Sequence, residues 1–302
     1  MALVFCVLHG CGDETAFAPD AGPRNDGRPD MAFVPPKPIG TDMTDSGVTV
    51  GDPCNLWATV DNQRLLSTVH QSMSDAYAPI TAEADRGGNA NRYTTARKLM
   101  FTEVERYQSA DGPFVVECIY TGQTTPAPQT EDPNRDFINC EHVWPRSRMV
   151  DEDVEPTLYS HQQSDIHNLM PSNPDANSAR GNLPFGEVTA DRTLDYMPSV
   201  VGMNSRGDRV WEPRRERRGD VARIMFYMSV RWGLDIDPEQ EAILRRWNAT
   251  DPPDTREAIR NQNAAMIQGN RNPFVDCPSL ADRIPDFFAF DSLDTDRSLP
   301  QP

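Results

Sequence analysis

Lysine is nearly missing from this chain. Lys37 and Lys98 are its two lysines, and the rest of its 29 cationic residues are arginine. Those cations are outnumbered by 46 Asp and Glu, for a net charge of −17. That balance excludes general electrostatic adhesion to nucleic acid or to an anionic membrane, but not a local basic groove. Arginine carries a planar fork suited to phosphate, although biased codon composition would produce the same preference. Long apolar runs are missing too. The nearest approach, Met1–Gly12, is too short to cross a bilayer, which takes roughly 20 apolar residues. The absence of a CxxC pair argues against a zinc knuckle, and the absence of HExxH argues against a zinc hydrolase of another substrate class. There is no internal repeat, and one large α+β domain is the economical reading of 302 residues.

Residues 1–11 read as a leader segment without the cationic n-region of a full signal peptide. Leu8-His9-Gly10-Cys11 resembles a bacterial lipobox. Export to the periplasm or the medium is expected, and a lipid anchor at Cys11 is the one candidate route to a membrane. Residues 12–52 are rich in Pro, Gly and Asp with hardly any apolar periodicity. Such a segment cannot bury enough surface to offset its ordering entropy, so a disordered tether is expected there. The folded domain is expected over 53–290, followed by a frayed acidic tail at 291–302. Beyond the leader lie Cys54, Cys118, Cys140 and Cys277. An even number in an exported chain fits two disulfides with three possible pairings. Cys118–Cys140 is favoured because both fall in neighbouring strand-like runs, and Cys54–Cys277 because it would tie the ends of the domain.

Leu65, Leu66, Val69 and Met73 recur at helical spacing, as do Ala96, Leu99, Met100 and Val104. Residues 114–120 and 137–143 read as strands, the second ended by Pro145. Val221, Ile224, Met225, Met228 and Trp232 predict an amphipathic helix, opened by Gly219-Asp220 and closed by Gly233. Two more helices are predicted near 238–248 and 254–268.

Three stretches carry the chemistry: Glu141-His142-Val143-Trp144-Pro145, Asp165-Ile166-His167-Asn168-Leu169 and Asn177-Ser178-Ala179-Arg180-Gly181-Asn182. His142 is a natural general base, since an imidazole titrates near neutrality. Glu141 is a hard oxygen donor for Mg²⁺, which keeps several waters and takes one or two protein ligands. Asn177 offers a second ligand oxygen, with helix N-capping as its competing role. Arg146, Arg148 and Arg180 are candidates to hold a phosphate and offset the charge developing on it. Arg180 and Asn182 divide between fixing their loop and contacting phosphate. Asp165 and Asn168 suit capping and site-positioning; His167, between Ile166 and Leu169, suits a structural place, and His70 and His161 have no catalytic role. One difficulty is geometric. Adjacent residues of an ideal strand face opposite ways, so Glu141 and His142 can share a site only if the strand bulges or ends at 140–142, or if a phosphate is reached around its edge. An irregularity is predicted.

These stretches resemble the endonuclease I family of bacterial periplasmic and extracellular nucleases, in the His-Me finger (ββα-metal) group. Three further stretches strengthen the resemblance, in family order: Cys118-Ile-Tyr-Thr-Gly122, Glu212-Pro-Arg214 with Arg218-Gly-Asp-Val-Ala-Arg-Ile-Met-Phe-Tyr-Met228, and Gln268-Gly-Asn-Arg-Asn-Pro-Phe-Val275. The resemblance implies a ββα-metal core embedded in a mostly helical single domain. It implies that His142 activates the attacking water while Glu141 and Asn177 bind one Mg²⁺, or another divalent ion such as Mn²⁺ or Ca²⁺. It also implies sequence-independent cleavage of DNA, and of RNA, leaving 5′-phosphate ends. Arg146 is the first choice for the phosphate-stabilising arginine and Arg148 the second.

Residues 206–231 hold eight Arg against four acids. Arg214, Arg215 and Arg218, with Arg148, are candidate contacts to a nucleic-acid backbone; a salt-bridged helix face is the competing reading. No stacked aromatic platform accompanies them, which suits backbone contact without base readout. The alternative function is a catalytically silent, exported nucleic-acid-binding protein on the same fold. Retention of Glu141, His142 and Asn177 together speaks against it.

Overall fold

The computed structural model describes residues 52–84, 90–109, 112–127 and 134–287. The candidate leader at 1–11, the expected tether apart from Asp52, and the tail at 291–302 lie outside the described residues. Helix α1 (Asn62–Ala76) is opened by Asp61, whose carboxylate accepts from the Gln63 amide at 2.8 Å, and it buries Leu65, Val69 and Met73 along one stripe. Strands β1 (Glu83–Ala84) and β2 (Ala90–Asn91) form a short antiparallel pair. Asn91 then caps α2 (Arg92–Leu99) by accepting from the Tyr93 and Thr94 amides. The predicted helical run continues through Val104, but its second part, Met100–Val104, is wound as a π turn that buries Met100, Phe101 and Val104.

Three small antiparallel sheets follow. The first takes the order β3 (Tyr107–Gln108), β4 (Phe114–Glu117), β5 (Thr124–Pro126). The second joins β6 (Asn139–His142) to β7 (Leu169–Ser172), with α3 (Pro156–Gln163) between them in the chain. Helix α4 (Pro174–Arg180) comes directly after β7, capped by the Asn173 side chain and closed by Gly181 at φ 51°. The third sheet takes the order β10-β9-β8, from β8 (Ala190–Thr193), β9 (Val200–Met203) and β10 (Arg209–Glu212). The remainder is helical: α5 (Arg218–Trp232), α6 (Pro238–Thr250), α7 (Thr255–Gln268), α8 (Pro273–Asp276) and α9 (Leu280–Arg283). The described part is therefore α+β. Among the described residues no helix is long and apolar enough to cross a membrane.

Helix α5 corrects one expectation. It is not amphipathic but buried nearly all round, and its polar members Asp220, Arg223, Ser229 and Arg231 are buried with the apolar ones. Such a helix is the centre of a core rather than its edge. For Arg223 the burial is offset by a two-pronged contact with Glu257 (2.7 and 2.5 Å). Gly233, at φ 63°, ends the helix in the left-handed conformation its position predicts.

The disulfide expectation is half corrected. Cys54 and Cys277 are joined, closing 223 residues of chain. Cys118 and Cys140 are free, buried thiols. Strand β7 runs between them: Pro171 pairs with Cys140 on one side, and its carbonyl accepts from the Ile119 amide at 2.9 Å on the other. Two strand spacings amount to about 9–10 Å, beyond the roughly 7 Å that a disulfide can bridge between Cα atoms. The Cys118 sulfur instead accepts from the Asn173 amide at 3.0 Å.

Candidate active site

The site is built at β6. Its four residues pair with β7 in unbroken antiparallel register, Glu141 opposite Met170 and His142 opposite Leu169. The predicted irregularity does not interrupt the ladder: Glu141 and His142 are both paired in it and lie on opposite faces, which counts against a single site facing one way. The strand does end at His142, where Val143 and Trp144 bend away. Asn168 pins that bend: its side-chain oxygen accepts from the Trp144 amide at 2.6 Å and its nitrogen donates to the Trp144 carbonyl at 3.1 Å. The carbonyls of Cys140 and His142 point away from β7 and are met by α4. Asn177 donates to the first at 3.0 Å and Arg180 to the second at 3.0 Å. These two side chains are one helical turn apart, which lets a single face of α4 cover the strand edge.

Glu141 is buried. Its Oε1 accepts from the Tyr120 hydroxyl at 2.7 Å and from Arg180 at 2.8 Å, while Oε2 takes no donor among the described residues. Burial pushes its carboxyl up; Arg180 and the Tyr120 hydroxyl oppose that rise. Asn177, with its nitrogen committed to Cys140, has its amide oxygen without a donor. A carboxylate and an amide oxygen are hard donors of the kind a hydrated Mg²⁺ accepts. It is not the clustered His and Cys set of a zinc site, and among the described residues no group of three or more His, Cys, Asp or Glu is placed to hold a metal.

On the other face, His142 Nε2 donates to the Gln163 carbonyl at 2.9 Å. That bond places the ring proton on Nε2 and leaves the lone pair on Nδ1. Nδ1 has no hydrogen-bond partner among the described residues. Tyr93 packs against the imidazole with ring centroids 5.1 Å apart. Burial pushes the His142 imidazole down to about 4, with Arg146 and Arg180 adding to the effect, so it is neutral at physiological pH. Arg146 donates to the Tyr159 hydroxyl at 2.9 Å, and Gln163 Oε1, turned toward it, accepts from Nη2 at 3.2 Å. The last turn of α3 therefore holds both His142 and Arg146. An open cleft of about 610 Å³ is lined by Arg146, Ser147, Asp151, Glu152 and Tyr159, and His142 is not part of its lining.

The remaining candidates are scattered. Arg148 is exposed beside Arg146, and Asn182 reaches Ser147 Oγ at 3.3 Å. Asp165 is fully buried and accepts from the His167 amide, Tyr227, Trp232 and Gln268, a positioning role within the core. Arg214 and Arg218 are held by Glu117 and Glu212, and Arg215 is exposed. Part of the basic stretch is thus paired with carboxylates and part, Arg223 and Arg231, is buried, which simple charge counting along the chain cannot distinguish from a groove. Tyr120 and Gln163 are the residues that motif reading passed over. Tyr120 lies inside a quoted motif but carries no charge, and Gln163 acts on His142 through its backbone.

Glu117 takes three guanidiniums, from Arg214, Arg217 and Arg256. Burial pushes its carboxyl up, but Arg256, Arg214 and Arg217 together hold it at about 2, below the ordinary 4.5. A carboxyl depressed in the folded state contributes stability that is complete above its unfolded value and is lost as pH falls through the folded one. Glu117→Gln should lose at most about 3 kcal/mol at neutral pH. Its denaturation midpoint should decline less than that of wild type between pH 4.5 and 2. Parallel declines would assign the acid sensitivity to other groups.

Around β6 the described residues thus include a carbonyl-anchored imidazole, a buried carboxylate and an exposed arginine. The Endonuclease I family profile matches residues 62–279, and the chain belongs to that family. An extracellular ribonuclease of Bacillus amyloliquefaciens is 38% identical over 164 residues, covering 48% of this chain and 53% of the relative. A periplasmic deoxyribonuclease of Aeromonas hydrophila is 29% identical over 118 residues, covering 39% and 49%. An endonuclease-1 of Buchnera aphidicola subsp. Acyrthosiphon pisum (strain APS) is 26% identical over 130 residues, covering 40% and 48%. The chain spans about half the length of these curated relatives.

Proposed function

We propose that this chain is an exported, divalent-metal-dependent endonuclease that hydrolyses DNA and RNA without sequence preference and leaves 5′-phosphate ends. The observation that carries the proposal is the geometry at His142, whose Nε2 is committed to the Gln163 carbonyl and whose Nδ1 takes no partner among the described residues. In this reading His142 Nδ1 takes the proton of the attacking water. Glu141 and Asn177 would hold a Mg²⁺ ion, which when bound offsets charge on the phosphate and aids departure of the leaving oxygen. Arg146, exposed yet steadied by Tyr159 and Gln163, grips a non-bridging phosphate oxygen. The adjoining hairpin and helix, β6, β7 and α4, are the parts we assign to the ββα-metal core. Export fits the extracellular and periplasmic relatives.

The test is cleavage of supercoiled plasmid and of a long RNA by oxidised protein. With Mg²⁺ both should be degraded, EDTA should abolish the reaction, and the products should need phosphatase treatment before kinase labelling. Protein that retards plasmid in a gel but never nicks it, under Mg²⁺, Mn²⁺ or Ca²⁺, would establish the silent binder instead.

A further inference from the structure

Arg180 is the residue that touches both halves of the site. Its Nη1 donates to Glu141 Oε1 at 2.8 Å and to the His142 carbonyl at 3.0 Å, and Nη2 donates to the Val143 carbonyl at 2.7 Å. The side chain is 1% exposed and lies over the Phe185 ring at 4.4 Å. A guanidinium so enclosed cannot reach a phosphate without abandoning its acceptors inside the protein, among them Glu141 and the main-chain carbonyls of His142 and Val143. Leaving those buried groups unpaired would cost more than one exposed phosphate contact returns. Arg180 therefore does not have the phosphate role its motif suggests.

Tyr120 completes the arrangement. Its hydroxyl shares Glu141 Oε1 with Arg180, at 2.7 Å. The Tyr120 ring packs edge-on against Trp211 at 4.9 Å, and its carbonyl accepts from Ser199 Oγ at 2.7 Å. Its hydroxyl position is thus set from the third sheet and the turn leading into it. Two donors arriving from two directions occupy one carboxylate oxygen and leave the other without any.

We propose that Arg180, seconded by Tyr120, is a positioning residue that sets which oxygen of Glu141 is presented to the metal. Through the His142 and Val143 carbonyls, it also fixes the end of β6 that carries the base. Adjacent strand residues point apart, so nothing in the ladder itself relates the Glu141 carboxylate to the His142 ring; one guanidinium bonded to both residues does. This inference rests on reading Glu141 as a metal ligand. Outer partners that orient a ligating carboxylate typically change metal affinity or activity by roughly 10–100-fold when removed.

The test compares wild type, Tyr120→Phe and Arg180→Lys, each checked for an unaltered circular-dichroism spectrum. Mn²⁺ is titrated by calorimetry without nucleic acid, and the salt dependence of plasmid binding is measured alongside. Expected is a Mn²⁺ affinity about 10-fold weaker in Tyr120→Phe and weakened at least as much in Arg180→Lys, with the salt slope unchanged. Arg180→Lys should also show a lower kcat that saturating metal does not restore, because the His142 carbonyl has lost its partner. Wild-type affinity in both variants would overturn the inference while leaving the metal reading standing. A salt slope shallower by about 0.9 in Arg180→Lys would overturn it in favour of a phosphate contact. Wild-type protein that binds no Mn²⁺ would overturn the metal reading and this inference with it. Tyr120→Phe removes one hydroxyl and no packing, so the test stands even if Arg180→Lys does not fold.

Discussion

His142→Ala is expected to lower kcat for plasmid cleavage by about 10²–10⁴-fold, the usual contribution of a positioned general base. That corresponds to roughly 3–5 kcal/mol of barrier. KM should change little, because the imidazole acts on water and not on the phosphodiester backbone. The expectation comes from the two ring nitrogens having different fates. Nε2 spends its proton on the Gln163 carbonyl, which fixes the ring plane and leaves Nδ1 as the one basic nitrogen. Tyr93 then limits how the ring can swing. The other three described histidines are engaged elsewhere: His167 Nδ1 is sealed in the core, His161 Nδ1 faces the Tyr77 hydroxyl at 3.3 Å, and His70 lies on α1 between the Val230 carbonyl and Ser74 Oγ. The measurement is single-turnover cleavage at saturating plasmid and Mg²⁺, with the thermal midpoint recorded for both proteins. A variant that cuts at the wild-type rate would move the base elsewhere. One with a much raised KM and intact kcat would make His142 a binding residue.

Reducing the Cys54–Cys277 bond is expected to be the most damaging single change to stability. The bond closes 223 residues, and removing a native disulfide typically costs about 2–5 kcal/mol, with long loops toward the upper end. For a domain of this size that is on the order of 5–15 °C in Tm. The local structure concentrates the effect. Cys54 lies in a short 3₁₀ turn, Pro53–Leu56, and Cys277 follows α8. Arg283 reinforces the same junction by donating to the Trp57 and Val60 carbonyls at 2.7 and 2.6 Å. Scanning calorimetry with and without reductant, and of Cys54→Ala with Cys277→Ala, should show matching losses. Peptide mapping without reductant should link Cys54 to Cys277 and leave Cys118 and Cys140 open to alkylation after denaturation. A Cys118–Cys140 peptide would contradict the placement of β7 between them. An unchanged Tm on reduction would show that Arg283 and the surrounding packing suffice.

The local elements were largely legible before any coordinates. Leu65, Val69 and Met73 repeat at the helical period and are buried as that period requires. Gly233 stands where α5 must stop, and the caps Asp61, Asp237 and Asp254 stand where helices begin. Periodicity understated α5, because buried Arg223 and Asp220 look like a solvated face until Glu257 and Arg217 are seen beside them. Charge counting had the same weakness at Arg214 and Arg218, whose partners include Glu117, nearly a hundred residues away along the chain.

By itself, the sequence determined the chemistry available to this protein: which residues are basic, hard-oxygen or cationic, and where they stand in order. It also determined the family, since motifs in a fixed order survive changes that blur packing. Only the tertiary structure decided what each group is free to do. Arg180 and Arg146 are the same residue type in neighbouring motifs, yet one is enclosed by Glu141 and two carbonyls while the other faces an open cleft. Cys118 and Cys140 look close along strand-like runs, yet a third strand separates them. The physical reason is common to both cases. A side chain's identity fixes what bonds it can make, but burial and long-range partners fix which of those bonds are already made.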